Sequence, residues 1–118
     1  MWLDHNNITG TIATEVGKLT GLASFSLTNT TVRGTIPSEI GLLTGLRRLW
    51  LYGNNLSGEI PAELGNLPTL EVVEMYGNDL TGSMPQGTCD AVTAATYDYK
   101  VLSADCNEVS CDCCTQCY

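Results

Sequence analysis

Hydrophobic positions along the first three quarters of the chain recur with a fixed step of 24 residues. Leu22, Leu46 and Leu70 keep it, as do Leu3, Leu27, Leu51 and Met75, and Ile8, Val32, Leu56 and Leu80. Ile12, Ile36, Ile60 and Met84 form a further column, each followed by Ala13, Pro37, Pro61 or Pro85. Glycines hold the same step in two columns, Gly10, Gly34, Gly58 and Gly82, and Gly17, Gly41 and Gly65. A single period over this many columns marks a repeat architecture, in which each unit buries its apolar face only against its neighbours.

Each unit predicts three pieces. In Leu46-Arg-Arg-Leu-Trp-Leu51, Leu49 and Leu51 alternate with Arg48, Trp50 and Tyr52, the two-residue period of a short strand. A turn follows at the column Asn6, Thr30, Asn54 and Asn78. A buried Asn there pairs with backbone groups that a tight turn leaves open, and Thr30, with fewer bonding options, predicts a looser turn. In Gly58-Glu-Ile-Pro-Ala-Glu-Leu-Gly65, Pro61 suits the first turn of a short helical segment and Gly65 its end. Strand, turn and helical arc returning in 24 residues make one coil of a solenoid. Phe25 takes the central strand leucine's place in the second unit, and Val72–Met75 reads as a slightly irregular last strand.

Projected backwards from Leu22, the period would begin before Met1, so the first coil is expected to be truncated and its apolar side open. Such an end calls for further chain before it, for a neighbouring chain docked on it, or for Trp2 folded over it. After Pro85 the period fails, and all six cysteines (Cys89, Cys106, Cys111, Cys113, Cys114 and Cys117) fall in this last part. The expected organisation is therefore repeats over 1–87 and a cysteine-rich cap over 88–118. Disulfides staple a terminal segment that has too little core of its own. Six cysteines allow 15 pairings, among which sequence does not choose, although the adjacent Cys113 and Cys114 are expected to pair elsewhere. The rival is a zinc site on Cys111, Cys113, Cys114 and Cys117, but zinc sites usually come as two separated pairs and this run is one tight cluster.

The string from Leu46 to Leu67 reads L-x-x-L-x-L-x-G-N-x-L-S-G-x-I-P-x-x-L-G-x-L. It resembles the plant-type leucine-rich repeat of receptor-kinase ectodomains and their secreted relatives, over about residues 1 to 87. The ending from Ala104 to Cys117 is similar to the cysteine-rich endings of secreted leucine-rich-repeat proteins of diatoms and related algae. The resemblance implies an α/β fold. It would be a right-handed solenoid with a concave parallel sheet, short 3₁₀ or helical convex segments and a disulfide-rich cap. It also implies an extracellular setting, secreted or on a cell-surface ectodomain, which favours disulfides over zinc.

Outward strand positions place Trp2, Ser26, Trp50 and Glu74 in one column, and Asp4, Thr28, Tyr52 and Tyr76 in the next. Arg48 lies beside Ser24 and Val72, and His5 beside Asn29. Arg48, Trp50, Tyr52, Glu74 and Tyr76 are thus expected to cluster as a partner-binding surface, since aromatics and Arg are enriched in binding hot spots. The competing explanation is β propensity alone. Asn7, Asn29 and Asn55 begin N-glycosylation patterns, although the repeat itself generates some of them.

Composition narrows the function. Five Lys and Arg against 13 Asp and Glu give a net charge of −8, the wrong sign for a nucleic-acid binder. No apolar run approaches a membrane span. His5 has no identifiable nucleophile partner, Glu15, Glu39 and Glu63 mark a repeat surface, and no phosphate loop is present, so no enzyme and no cofactor are expected. An ice-binding face on Thr9-Gly-Thr11, Arg33-Gly-Thr35, Ser57-Gly-Glu59 and Thr81-Gly-Ser83 is interrupted by Arg33 and Glu59. The sequence reads as a non-catalytic extracellular module that recognises a protein, peptide or glycan on its concave face. The alternative is a structural component of a matrix, cell wall or larger complex that docks through its N-terminal end.

Overall fold

A computed structural model describes residues 1, 9–95 and 100–118. Among these residues, two five-stranded parallel sheets run along the solenoid. The inner one contains Ser24–Ser26 (β2), Arg48–Trp50 (β4), Val72–Glu74 (β6), Val101–Ala104 (β8) and Gln116–Cys117 (β10), in the order β10-β8-β6-β4-β2. The outer one contains Thr9–Thr11 (β1), Thr31–Gly34 (β3), Asn55–Glu59 (β5), Asp79–Ser83 (β7) and Val109–Ser110 (β9), in the order β1-β3-β5-β7-β9. The 3₁₀ turns Thr14–Lys18, Ser38–Leu42 and Ala62–Asn66 close the first coils, and the helix Gln86–Ala94 (α1) closes the next. This is the solenoid that the 24-residue step predicts, with the parallel inner sheet and 3₁₀ segments that the resemblance of Leu46–Leu67 to the leucine-rich repeat implies.

The step becomes register in the inner sheet, where Phe25 lies opposite Leu49, Leu49 opposite Val73 and Val73 opposite Leu102. Each coil sends its periodic apolar residues inward. Leu46, Leu49, Leu51, Leu56, Ile60, Leu64 and Leu67, all from one coil, are buried in a single core. Asn54 and Asn78 act as expected in their turns. The Asn54 Nδ2 donates to the Leu27 carbonyl at 2.7 Å and to that of Leu51 at 3.0 Å. Asn78 repeats this one coil on, to Leu51 at 2.9 Å and Met75 at 3.0 Å, and its Oδ1 accepts from the Leu56 N–H at 3.0 Å. Buried donors and acceptors that strand ends would orphan are thereby paired across coils. Thr30 is not left loose, because its hydroxyl donates to Asn54 Oδ1.

Three features differ from the sequence reading. The outer sheet replaces what the pattern presents as a turn. Its strands accommodate Gly10, Gly34, Gly58 and Gly82 at φ of 79 to 95°, a region glycine enters freely. Gly65 does not end a helical segment but lies inside the turn Ala62–Asn66. A Cβ at Gly41 would stand 2.6 Å from the Glu63 carbonyl oxygen, and one at Gly65 would stand 2.7 Å from Gly87 Cα, so this column exists to let coils approach. Finally, the period stops at Pro85 but the solenoid does not. Strands β8 and β9 extend both sheets by a further coil, burying Val101, Leu102, Ala104 and Val109.

Three disulfides hold this last part, Cys89–Cys113, Cys106–Cys117 and Cys111–Cys114, and no cysteine is free. They tie α1 to the C-terminal segment, and the end of β8 to β10, and the adjacent Cys113 and Cys114 do pair elsewhere. The zinc alternative fails because all four of its thiols are spent in S–S bonds.

Candidate functional site

The inner sheet carries the candidate surface. Alternation turns Phe25, Leu49, Val73 and Leu102 into the core and sends their neighbours to the opposite face. One cross-strand row reads Ser26, Trp50, Glu74, Ser103 and Gln116. Ser103 is fully buried, and its hydroxyl has no partner among the described residues.

Two residues further along the strands stand the tyrosines. The rings of Tyr52 and Tyr76 are parallel to within 3°, with centroids 4.8 Å apart. Tyr118 stacks on Tyr76 in turn, at 3.9 Å and 21°. Its N–H donates to the Ala104 carbonyl at 3.0 Å, continuing the pairing of β10 with β8, and its hydroxyl donates to Gln116 Oε1 at 3.0 Å. Beneath the stack, the Asp105 carboxylate accepts from the N–H groups of Gly77 (3.1 Å) and Asn78 (3.2 Å). The row is thus three tyrosines long, and 24-residue spacing alone does not reveal Tyr118, which lies beyond the last repeat.

Glu74 is half-buried. Loss of solvent pushes its carboxyl above the usual 4.5, and a hydrogen bond from the Trp50 side chain partly opposes this. Tyr76 is also raised above 10.0, first by burial and then by Tyr118, Tyr52 and Glu74 beside it. Arg48 is exposed and lies opposite Ser24 and Val72 on the same sheet. Arg47, its neighbour, is committed elsewhere, with its Nε 2.7 Å from the buried Glu71 carboxylate. The structure therefore brings Trp50, Tyr52, Glu74 and Tyr76 onto one face, with Arg48 at its edge.

Asn29 and Asn55, the second and third glycosylation candidates, are exposed. Asn7, His5 and Trp2 lie outside the described residues. At the N-terminal coil, Ile12, Val16, Leu19, Phe25, Leu27 and Val32 line an apolar recess. No helix among the described residues is long and apolar enough to cross a membrane.

The family model "Leucine Rich Repeat" matches residues 45–67. No curated protein matches the sequence. Among solved structures, the ectodomain of the receptor kinase SOBIR1 from Arabidopsis thaliana is 25% identical, with a TM-score of 0.76. The match covers 87% of this chain and 53% of that one. The plant peptide hormone receptor RGFR1, in complex with RGF2, is 35% identical with a TM-score of 0.70, over 81% of this chain and 15% of that one. A plant ice-binding protein is 30% identical with a TM-score of 0.74, over 87% and 34%. The chain thus spans about half or less of the length of each of these structures. Period, paired sheets and similarities agree that this is a leucine-rich-repeat solenoid, similar to those of plant receptor ectodomains and held at its C-terminal end by three disulfides.

Proposed function

We propose that the chain is an extracellular, non-catalytic recognition module that captures a peptide or protein on its inner sheet through Trp50, Tyr52, Glu74 and Tyr76, with Arg48 at the rim. The observation that carries this reading is the Tyr52–Tyr76–Tyr118 stack beside Trp50 and Glu74. Sheet propensity explains single tyrosines but not a preorganised row next to a half-buried carboxylate. Rigid aromatic anchors contribute contact area at low entropic cost. The similarity to a peptide hormone receptor supports a peptide as the ligand, and the three disulfides fit an oxidising compartment outside the cell.

The similarity to an ice-binding protein directs attention to the outer sheet. Arg33, Glu59 and Asp79, all exposed on its strands, break the threonine and serine rows that an ice plane requires, so the inner sheet remains the better candidate.

The test is selection of binders from a displayed random-peptide library on the full chain. Selected peptides are expected to lose roughly tenfold or more in affinity on Trp50→Ala and on Tyr52→Ala, the scale of hot-spot truncation. Circular dichroism is expected to leave both variants folded. Binders indifferent to both changes would sink the inner-sheet reading.

A further inference from the structure

We infer that Asn55 carries an N-linked glycan, which places a sugar on the outer sheet and leaves the inner sheet open. The inference rests on the extracellular setting proposed above and not on the choice of recognition face.

Asn55, Leu56 and Ser57 form an acceptor triplet on β5. Alternation turns Leu56 into the core and sets Asn55 and Ser57 on the open face, both exposed. The strand is the middle one of the outer sheet, so the exposure of the site owes nothing to either end of the chain. Thr31 and Asp79 stand at the same place one coil earlier and one coil later, so the coil itself does not require an asparagine there. The contrast is the adjacent Asn54, which is buried and whose Nδ2 donates to the carbonyls of Leu27 and Leu51. One asparagine of the pair holds the turn. The other makes no side-chain hydrogen bond among the described residues and is open to modification.

The surroundings accept a sugar. Thr31, Arg33, Glu59, Asp79 and Thr81, exposed on the strands around Asn55, are all polar, so a hydrated glycan covers no apolar patch. Asn29, the other described candidate, is placed less well. Its φ is 52°, its N–H donates to the Tyr52 carbonyl at 3.1 Å, and its amide oxygen occupies the place a Cβ on Gly53 would take. A sugar there would stand beside the tyrosine row, whereas one on Asn55 projects from the other sheet. The transfer is a substitution at an anomeric carbon. Asn55 Nδ2 bonds to C1 of a lipid-diphosphate-linked oligosaccharide, the bond from C1 to the diphosphate oxygen breaks, and Nδ2 gives up one proton as the lipid diphosphate leaves. Transfer precedes folding in the secretory route, so the fold has only to tolerate the product.

The experiment secretes the full chain from a eukaryotic host and maps the disulfide-bonded product by mass spectrometry. Release of the sugar by peptide N-glycosidase in heavy-oxygen water is expected to leave labelled aspartate at position 55. Ser57→Ala should abolish the modification with circular dichroism unchanged, and Ser57→Thr, which keeps the hydroxyl, should retain it. Asn55→Gln should give the same loss through the acceptor itself. A bare Asn55 in secreted product with all three disulfides formed would overturn the inference while leaving the extracellular reading standing. Sugar confined to Asn29, or modification of Asn55 that survives Ser57→Ala, would overturn it as well. Peptides selected on the inner sheet should bind with unchanged affinity before and after the sugar is removed. Tighter binding after removal would put the glycan over the recognition face and overturn its placement.

Discussion

At the scale of single residues, Glu74 holds a charge where solvent is reduced, and this has a cost whose sign can be worked out. Its carboxyl is raised in the folded chain, so the folded state holds a proton that the unfolded state releases between the ordinary value of 4.5 and the raised one. Stability therefore falls as pH rises through that window and stays lower above it. Glu74→Gln is expected to raise the melting temperature at pH 7, with the gap closing below pH 4.5. Thermal melts across that range check it, and equal gaps at both ends would refute the burial effect. The pairing of Tyr52 with Tyr76 was readable from the period, since residues one coil apart share a face. Tyr118 was not, because its place depends on the path of a segment that has no repeat.

At the scale of elements, the inner strands were legible from leucine alternation and the outer ones were not. In Asn55-Leu-Ser-Gly-Glu59 Leu56 alone is fully buried, and Gly58 takes a positive φ, so the segment reads as a turn although its backbone pairs on both sides. The glycines inside the 3₁₀ turns have a different reason, the closeness of neighbouring coils. Gly41→Ala would drive a methyl to 2.6 Å from the Glu63 carbonyl and is expected to destabilise by about 1–3 kcal/mol. Gly21→Ala, with nothing within 4 Å, is expected to fall within about 0.5 kcal/mol of the parent. Urea denaturation of the two variants separates coil contact from a generic loss of backbone freedom.

At the scale of the whole molecule, the repeats stabilise one another through a continuous core, and the last coil depends on covalent links as well. The cysteine cluster predicted a stapled end, but Val101–Ala104 carries no period by which a further coil could be recognised. Chain-entropy reasoning ranks the three links by the loops they close. Removing Cys89–Cys113, with a separation of 24, is expected to cost about 3.5 kcal/mol by paired alanine substitution. Removing Cys111–Cys114, with a separation of 3, should cost about 2 kcal/mol. Denaturant midpoints of the two double variants test the order, and a reversed ranking would place the main role of the short link in native packing.

The Cys106–Cys117 bond holds Tyr118 at the sheet edge, one residue beyond the link. Maintenance of the last coil and completion of the tyrosine row therefore share a single covalent link. A reducing compartment would do more than loosen the end of the solenoid, because it would also release Tyr118 from the ring of Tyr76. Competence to recognise a partner would then be acquired only after oxidation, which ties the readiness of the surface to passage through an oxidising environment.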